Sequence, residues 1–507
     1  MKTIVFDLVI IGGGINGCGI ARDAAGRGLS VFLCEKNDLA SGTSSASTKL
    51  IHGGLRYLEY YEFRLVKEAL REREILLTHA PHIVWPLRFI LPHHKGLRPS
   101  WLIRLGLFLY DHMGHRKLLP PTSTVNLATD EAGIVLKKNY RKGFEYSDCR
   151  VLDSRLTILN ALDAADLGAE IHTGTSFVSA KRVEDTWHIE LFNSNRKEKQ
   201  IIRSKVLINA TGPWLDSVLD TLPHSENGEH IRMVKGSHIV VKSLFNHDRA
   251  YIFQNDDGRI IFAIPYEDRF TLIGTTDVDY HGNPDDVEIS PEEIRYLCES
   301  AGEYFTTPIT PEDIVSSFSG IRPLFDDGRN EAKAATRDYV LKLDAPDNRT
   351  PLLSIYGGKI TTYRKLAESV LKKLEPFLPP MKQPWTATAD LPGGNFPPDG
   401  FMEEVRKLLA TCPDLSRETA TRLMRTYGTL AKNMCRNLAN EATFGPHFGH
   451  GLYGFEVDYL IDREWARSAE DILWRRTRLG LLFSPAETKL LDEYIRTHSP
   501  KEEIYAT

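Results

Sequence analysis

No uninterrupted apolar run in this sequence approaches the roughly eighteen residues of a membrane-crossing helix, so any contact with lipid is peripheral. Cysteine is sparse. The six residues, Cys18, Cys34, Cys149, Cys298, Cys412 and Cys435, are scattered, with no CxxC pair and no zinc-ligand spacing. Neither a disulfide framework nor a metal site is suggested, and a reducing cytoplasm fits best. The chain has no internal repeat, no low-complexity tract and no basic excess of the kind a nucleic-acid binder carries, since the formal net charge is −5 over 507 residues. The first strand pattern starts within a few residues of Met1, which leaves no room for a signal or transit peptide. This length predicts two or three domains, each with its own core.

What is present is most informative near Met1. An apolar run at residues 6–11 leads into Gly12-Gly13-Gly14-Ile15-Asn16-Gly17, and a helical pattern runs from about residue 16 to residue 25. Gly12 suits the tight turn, Gly14 the close approach of backbone to a pyrophosphate, and Gly17 the packing of helix on strand. The first N–H groups of that helix would face the phosphates. A second apolar run at residues 29–34 ends in Glu35, where a carboxylate can accept the hydroxyls of an adenosine ribose. Strand, glycine turn, helix and terminal acid together predict a dinucleotide site on an α/β domain.

Further along, a strand at residues 205–209 runs into Ala210-Thr211-Gly212-Pro213, so the nucleotide domain is expected to be assembled from separate pieces. Stretches rich in β-branched and aromatic residues at 237–241, 251–253, 260–264 and 271–274 predict a second, sheet-based domain covering the cofactor. Residues 376–399 are rich in proline and glycine and read as a linker. Beyond it, Val457, Leu460, Ile461 and Trp465 keep helical spacing, which predicts a helical cap. Just after Glu35 come Thr43, Ser44, Ser45, Ser47, Lys49 and Leu50, then His52-Gly53-Gly54-Leu55-Arg56-Tyr57. Small hydroxyl residues let backbone approach a large planar group, and His52, Arg56 and Tyr57 crowd one glycine-kinked segment.

These segments resemble the FAD-dependent glycerol-3-phosphate dehydrogenases of the bacterial aerobic, quinone-linked type. The likeness rests on FDLVIIGGGINGCGIARDAAGRGLSVFLCEK and SGTSSASTKLIHGGLRYLE near the start. It continues with GFEYSDC, NATGPW, KGSHIVV, IGTTDVDY, SGIRPL and YGGKITTYRKLAE, and with LIDREWARSAEDILWRRT in the last segment. The resemblance implies a Rossmann-like FAD-binding domain of the glutathione-reductase or D-amino-acid-oxidase type, with a β-sheet substrate domain and a helical C-terminal cap. The expected division is 1–80, 150–230 and 340–380 for FAD, 81–149 and 231–339 for substrate, 381–400 as linker, and 401–507 as cap.

It further implies oxidation of sn-glycerol 3-phosphate to dihydroxyacetone phosphate, with ubiquinone or menaquinone as acceptor. The sequence has one dinucleotide fingerprint, so a nicotinamide partner has no obvious site. Val178, Ala210, Thr211, Gly212, Gly358, Lys359, Ile360 and Thr361 join the glycine-turn and hydroxyl-rich residues as expected FAD contacts. Arg322, a planar fork, is the first candidate for the substrate phosphate or developing carbonyl. Lys359 brings a second cation beside the flavin, and Arg56 and Tyr57 complete the pocket. The proton acceptor is His52 or His238, since an imidazole suits general-base work near neutral pH. Thr276 and Asp277 fall in a strand-end turn whose role is open between site and scaffold.

Between residues 82 and 117, Arg88, Lys95, Arg98, Arg104, Arg116 and Lys117 face the single acid Asp111, interleaved with Trp85, Phe89, Trp101, Leu102, Ile103, Leu105, Leu107, Phe108 and Leu109. This mixture predicts an element lying in one leaflet, or else an ordinary buried helix with a solvated basic edge, and the resemblance implies attachment to the inner face of the cytoplasmic membrane. Arg475, Arg476 and Arg478 are candidates for the same surface or for an ordinary solvated helix face. A homodimer is the assembly the resemblance implies, and no metal is expected. The competing readings are an oxidase that uses oxygen, an amino-acid or amine oxidase of the same fold, and a flavin-binding sensor without catalysis.

Overall fold

The computed structural model describes residues 4–114, 116–222, 230–255, 257–326, 338–436, 438 and 440–498. Val5–Ile11 is the centre of the first sheet, and Leu8, Val9 and Ile10 are buried on both of its faces. A strand covered on both sides reads as a continuous apolar run, which is why no alternation shows in its sequence. The order is Val340–Asp344, Leu352–Tyr356, Glu198–Asn209, Val5–Ile11, Val31–Cys34, Glu170–His172. The last five run parallel, and Val340–Asp344 is antiparallel. Helices Ile15–Gly26, Asp153–Asp166 and Tyr363–Leu374 supply the packing on one face. On the other, the hairpin Thr175–Val183 and Thr186–Asn193 brings Trp187, Ile189 and Leu191 against Val9 and Ile11.

The glycine-turn helix spans Ile15–Gly26, one residue beyond expectation at each end. The second strand begins at Val31 rather than residue 29, because Gly28 takes φ +91° in the turn that closes the helix.

The second sheet holds ten strands. Its long path is Val278–Asp279, Ile231–Lys242, Phe270–Gly274, Ile260–Tyr266, Ala250–Gln254, Val84–His93, Lys142–Val151 and Leu50–Ile51. Ile314–Phe325 also pairs with Ile231–Lys242 through eleven residue pairs, and Ser123–Asn126 with Lys142–Val151. All four β-rich stretches singled out in the sequence lie within these strands. Helix Pro291–Gly302 buries Leu297, Cys298 and Ala301 in the core on one side of this sheet. Helices Phe63–His79 and Ser100–Met113 contribute Val66, Leu70, Leu107 and Tyr110 to the core on the other.

Ser100–Met113 packs through Leu107 and Tyr110 and leaves Trp101, Leu105, Phe108 and Leu109 exposed. The apolar residues interleaved with cations therefore split between two roles. Phe89 and Leu107 are core, and only the other face of the helix is outward.

Residues 378–400 form no regular element, in keeping with their proline and glycine content. They are nonetheless bonded along the first domain: the Leu391 N–H donates to the His79 carbonyl at 2.9 Å and Trp385 Nε1 to the Asp23 carbonyl at 3.3 Å. Beyond them, Phe401–Thr411, Arg417–Tyr427, Gly454–Arg463 and Pro485–His498 enclose a core of their own. Val457, Leu460 and Ile461 are buried as the spacing requires. Trp465 departs from it, lying past the helix end at φ +57°. The preceding Glu464 turns inward to a bidentate pair with Arg155, which ends the helix there.

Candidate active site

A cavity of about 440 Å³ opens between the two sheets, lined by the glycine turn, residues 40–50, the 210–214 turn, and the turn at 357–361. Gly12 takes φ +109°, and a Cβ there would lie 2.7 Å from the Ala210 carbonyl oxygen. At Gly17 a Cβ would meet the Gly12 carbonyl oxygen at 2.0 Å, so helix and turn close only over hydrogen. Ser44 Oγ accepts the Ile15 N–H at 2.9 Å, tying the hydroxyl-rich segment to the helix start. Glu35 accepts the Gly13 N–H through Oε2 at 2.7 Å and the Asn37 N–H through Oε1 at 2.8 Å. Burial raises its carboxyl above the usual range, with those two N–H groups pulling the other way.

The residues fit FAD. Asn16 Oδ1 and Trp214 Nε1 belong to cavity-lining side chains and are buried without a hydrogen-bond partner among the described residues. The cavity joins a helix N-terminus suited to a pyrophosphate, a carboxylate suited to a ribose, and a flat passage between small residues.

The cavity brings together Gly12, Gly14, Ile15, Asn16, Glu35, Thr43, Ser44, Ser47, Leu50, His52, Tyr57, Ala210, Thr211, Gly212, His238, Arg322, Gly358, Lys359, Ile360 and Thr361. Five other residues singled out in the sequence are outside its lining. Gly17 lies beneath the turn. Ser45 Oγ turns back to the Gly42 carbonyl at 3.3 Å, and Lys49 is buried, its Nζ donating to the Ser45 carbonyl at 2.8 Å and to both Asp153 oxygens at 3.0 Å. Arg56 reaches the Gly258 carbonyl at 2.6 Å. Val178 sits at a bulge in its hairpin, and its neighbours Thr175, Ser176 and Phe177 line the cavity.

On the substrate side, Arg322 Nη1 donates to Asp277 Oδ1 at 2.7 Å and Nη2 to Thr275 Oγ1 at 3.2 Å. The guanidinium lies across Gly236, where a Cβ would stand 2.5 Å from Nη2. Lys359 Nζ lies 3.8 Å from the centroid of the Tyr57 ring. His238 is buried, stacks on Phe318 at 4.8 Å, and shares a hydrogen bond of 3.0 Å between Nε2 and Thr48 Oγ1. Burial, with the Arg322 and Lys49 cations beside it, pushes its pKa well below the ordinary histidine value, so the ring is neutral. The His52 backbone is bonded to Thr361 Oγ1. The next residue, Gly53, donates its N–H to the Tyr110 hydroxyl at 2.8 Å and to Asp148 at 3.3 Å.

Sequence reasoning missed several contributors. Asp148, buried and bonded to Arg73 and Tyr110, holds the segment that carries His52. Its only local signal is its place in GFEYSDC. Trp214 and Lys36 line the cavity together, the ammonium 4.2 Å over the indole, each the last residue of a quoted motif whose juxtaposition the sequence did not show. Asp277 is resolved toward the site, as the partner of Arg322.

Fold and cavity together define the class. Residues 7–364 match the FAD dependent oxidoreductase family, and residues 384–501 match the C-terminal domain of alpha-glycerophosphate oxidase. The chain belongs to the FAD-dependent oxidoreductases, and its cofactor is FAD. Over 500 residues it is 52% identical to a glycerol-3-phosphate dehydrogenase of Pseudomonas aeruginosa, covering 98% of this chain and 96% of that protein. It is 49% identical to D-erythritol 1-phosphate dehydrogenase of Brucella abortus (96% and 97% covered) and 46% identical to aerobic glycerol-3-phosphate dehydrogenase of Escherichia coli (96% and 97%). Among solved structures, the glycerol-3-phosphate dehydrogenase of Bacillus halodurans complexed with FAD superposes with a TM-score of 0.75 at 26% identity, covering 98% and 95%. Within the class, this chain is a member of the glycerol-3-phosphate dehydrogenase family.

Proposed function

We propose that this protein oxidises the secondary alcohol of sn-glycerol 3-phosphate to the ketone of dihydroxyacetone phosphate and delivers the electrons to ubiquinone or menaquinone. The observation that carries the reading is one cavity with a dinucleotide cradle and a cationic wall, Arg322 and Lys359. Bound FAD supplies the hydride acceptor. Gly12, Gly14, Asn16, Ser44 and Glu35 would hold its dinucleotide half, and the turn that carries Ile360 and Thr361 would supply N–H donors to the flavin as it gains electrons. Arg322 receives the substrate phosphate or the developing carbonyl oxygen. Asp277 aims it, and Gly236 leaves it room. Lys359 and Tyr57 complete the polyol phosphate pocket, and Arg56, held on the Gly258 carbonyl, is left outside it.

The C2 hydroxyl proton goes to the His52 imidazole. His238 is the weaker candidate, because burial, and after it the Arg322 and Lys49 cations, oppose its protonation. Its neutral ring serves instead as a hydrogen-bonding wall with Thr48.

A quinone acceptor requires access to lipid, and the exposed face of Ser100–Met113 supports it. Trp101 is 69% and Phe108 55% exposed, with Leu105 and Leu109 on the same stripe. At 14 residues the helix is too short to span, and no described helix is long and apolar enough to cross a membrane. A helix of this kind lies in the interface, beside Arg98 and Arg104. The proposed location is therefore the inner face of the cytoplasmic membrane, by peripheral attachment, and the proposed assembly is a homodimer.

The D-erythritol 1-phosphate relative favours a second substrate reading, in which the same phosphate grip holds a longer polyol. An anaerobic absorbance titration of the holoprotein with each of the two phosphates decides between them. Bleaching by glycerol 3-phosphate, reversed quickly by a soluble quinone and slowly by oxygen, is the expected result. Preference for erythritol phosphate would reassign the substrate, and rapid recovery in oxygen with peroxide would make the protein an oxidase.

A further inference from the structure

A second concentration of positive charge lies away from the cavity, where helix Arg417–Tyr427 meets the second sheet. The guanidinium carbons of Arg150 and Arg425 stand 5.4 Å and 4.3 Å from the centroid of the same Trp85 ring. Arg425 is also 3.8 Å from the centroid of Phe401. Arg150 Nη2 and Arg478 Nη1 both donate to a single oxygen, Glu267 Oε1, at 3.2 Å each. Arg425 pairs with no carboxylate among the described residues, and its hydrogen bond is a long one, 3.5 Å, to the His82 carbonyl. The Nε of Arg478 is buried without a hydrogen-bond partner.

Among the described residues the bonded carboxylate of this cluster is Glu267, shared by Arg150 and Arg478, and Asp268, whose charge favours the Arg425 cation, is exposed to water. The backbone around them is held out of its easy range. Glu267, Asp268 and Arg478 have φ of +43°, +56° and +62°, all non-glycine residues in the left-handed region. Burial first, and then the cations of Arg150 and Arg478, drive the Arg425 pKa down to about 9. Aromatic faces offset part of that repulsion. None of the three arginines lines the FAD cavity.

We propose that Arg150, Arg425 and Arg478 form a second anion site, which binds a phosphate-class oxyanion between the 267–268 turn and the C-terminal domain. Guanidinium forks match a tetrahedral oxyanion bidentately, and a dianion neutralises the excess left by three cations against Glu267. The buried N–H of Arg478 gains its acceptor. The site crosslinks a sheet turn to the cap, so its ligand stabilises the docked arrangement of the two.

The test uses the FAD-loaded protein at constant ionic strength, with thermal unfolding followed against inorganic phosphate, a soluble phosphate monoester that is not a substrate, and chloride. Arg425→Met keeps the stacking and removes the charge. Without phosphate it is expected to melt at a higher temperature than the parent, because repulsion is relieved. With phosphate the parent overtakes it, and the variant binds phosphate about tenfold more weakly while kcat and KM stay unchanged. Arg478→Gln, which retains a donor, is expected to give a smaller loss of the same kind. A tighter monoester identifies an organic phosphate as ligand, and equal binding identifies phosphate itself. A phosphate shift of full size in Arg425→Met, or a chloride shift equal to the phosphate shift, overturns the proposal. So does a variant less stable than the parent at every phosphate concentration, which would make the cluster packing alone.

Discussion

Replacing Arg476 with methionine tests whether the C-terminal domain grips the cofactor loop. Arg476 is fully buried and donates to both oxygens of Asp38, at 2.6 and 2.8 Å, and to the Glu464 carbonyl at 2.5 Å. Arg475 Nε adds a bond to Asp38 at 2.6 Å. Asp38 follows Glu35 by three residues, and the loop it anchors closes on the glycine turn, where the Ala40 N–H donates to the Gly13 carbonyl at 3.1 Å. Burial pushes the Asp38 carboxyl up, and the two guanidinium groups more than reverse it, leaving it below the usual carboxylate range.

Methionine preserves the volume and leaves Asp38 with one cation. Breaking one side of a buried pair costs about 3–5 kcal/mol. Ligand present at a thousandfold its Kd returns about 4 kcal/mol to the native state. The apoprotein of the variant is therefore expected to unfold at lower denaturant, and at one FAD concentration the gap from the parent persists, because FAD stabilises both proteins and the weaker binder less. The Kd for FAD, read from quenching of flavin fluorescence, is expected to rise by at least about tenfold, since 1.4 kcal/mol of the cost falling on the loop is enough. Arg476→Lys should recover part of it. A fall in stability of the full size with an unchanged Kd would refute the reasoning, because the pair would then join domains without acting on the cofactor.

Gly236→Ala places a methyl group 2.5 Å from Arg322 Nη2, so the guanidinium must shift. A KM for substrate raised about tenfold or more, with FAD content unchanged, is expected in steady-state assays. Gly17→Ala meets backbone oxygen at 2.0 Å, and the purified protein should lack bound flavin by absorbance. His82 is fully buried, and burial, with Arg155 and Arg425 nearby, lowers its pKa from 6.5 to about 3. Between those values the unfolded chain binds a proton that the folded chain does not, so stability is lost as pH falls below 6.5. His82→Leu should cut the loss between pH 7 and pH 5 by about 2 kcal/mol, measured by urea unfolding at both.

Much of the first domain was legible because its signals are local. A strand buried on both faces, a glycine turn and a terminal acid lie within one stretch of chain, and each residue type is dictated by what it must approach. The four β-rich stretches were legible for the same reason. The missing pieces are long-range. Asp148 acts on His52 through a backbone N–H ninety-five positions away, and Asp38 finds its partners more than four hundred residues later. Trp465 kept the helical period, but the pull of Arg155 on Glu464 ended the helix before it. Arg475 and Arg476, read as a possible solvated face, are buried ligands of Asp38 for reasons that no local pattern carries.

The central strand of the first sheet has a consequence for how the protein is made. Val5–Ile11 finds one neighbour, Val31–Cys34, almost at once, but its other edge pairs with residues 203–209. That partner in turn pairs with residues 352–354. At a ribosomal rate of about 5–20 residues per second, the first strand waits roughly 10–40 s for its second neighbour. During that interval an apolar strand edge stands open beside the glycine turn, and because the cavity lining extends to residues 357–361 the cofactor cradle is complete only late in synthesis.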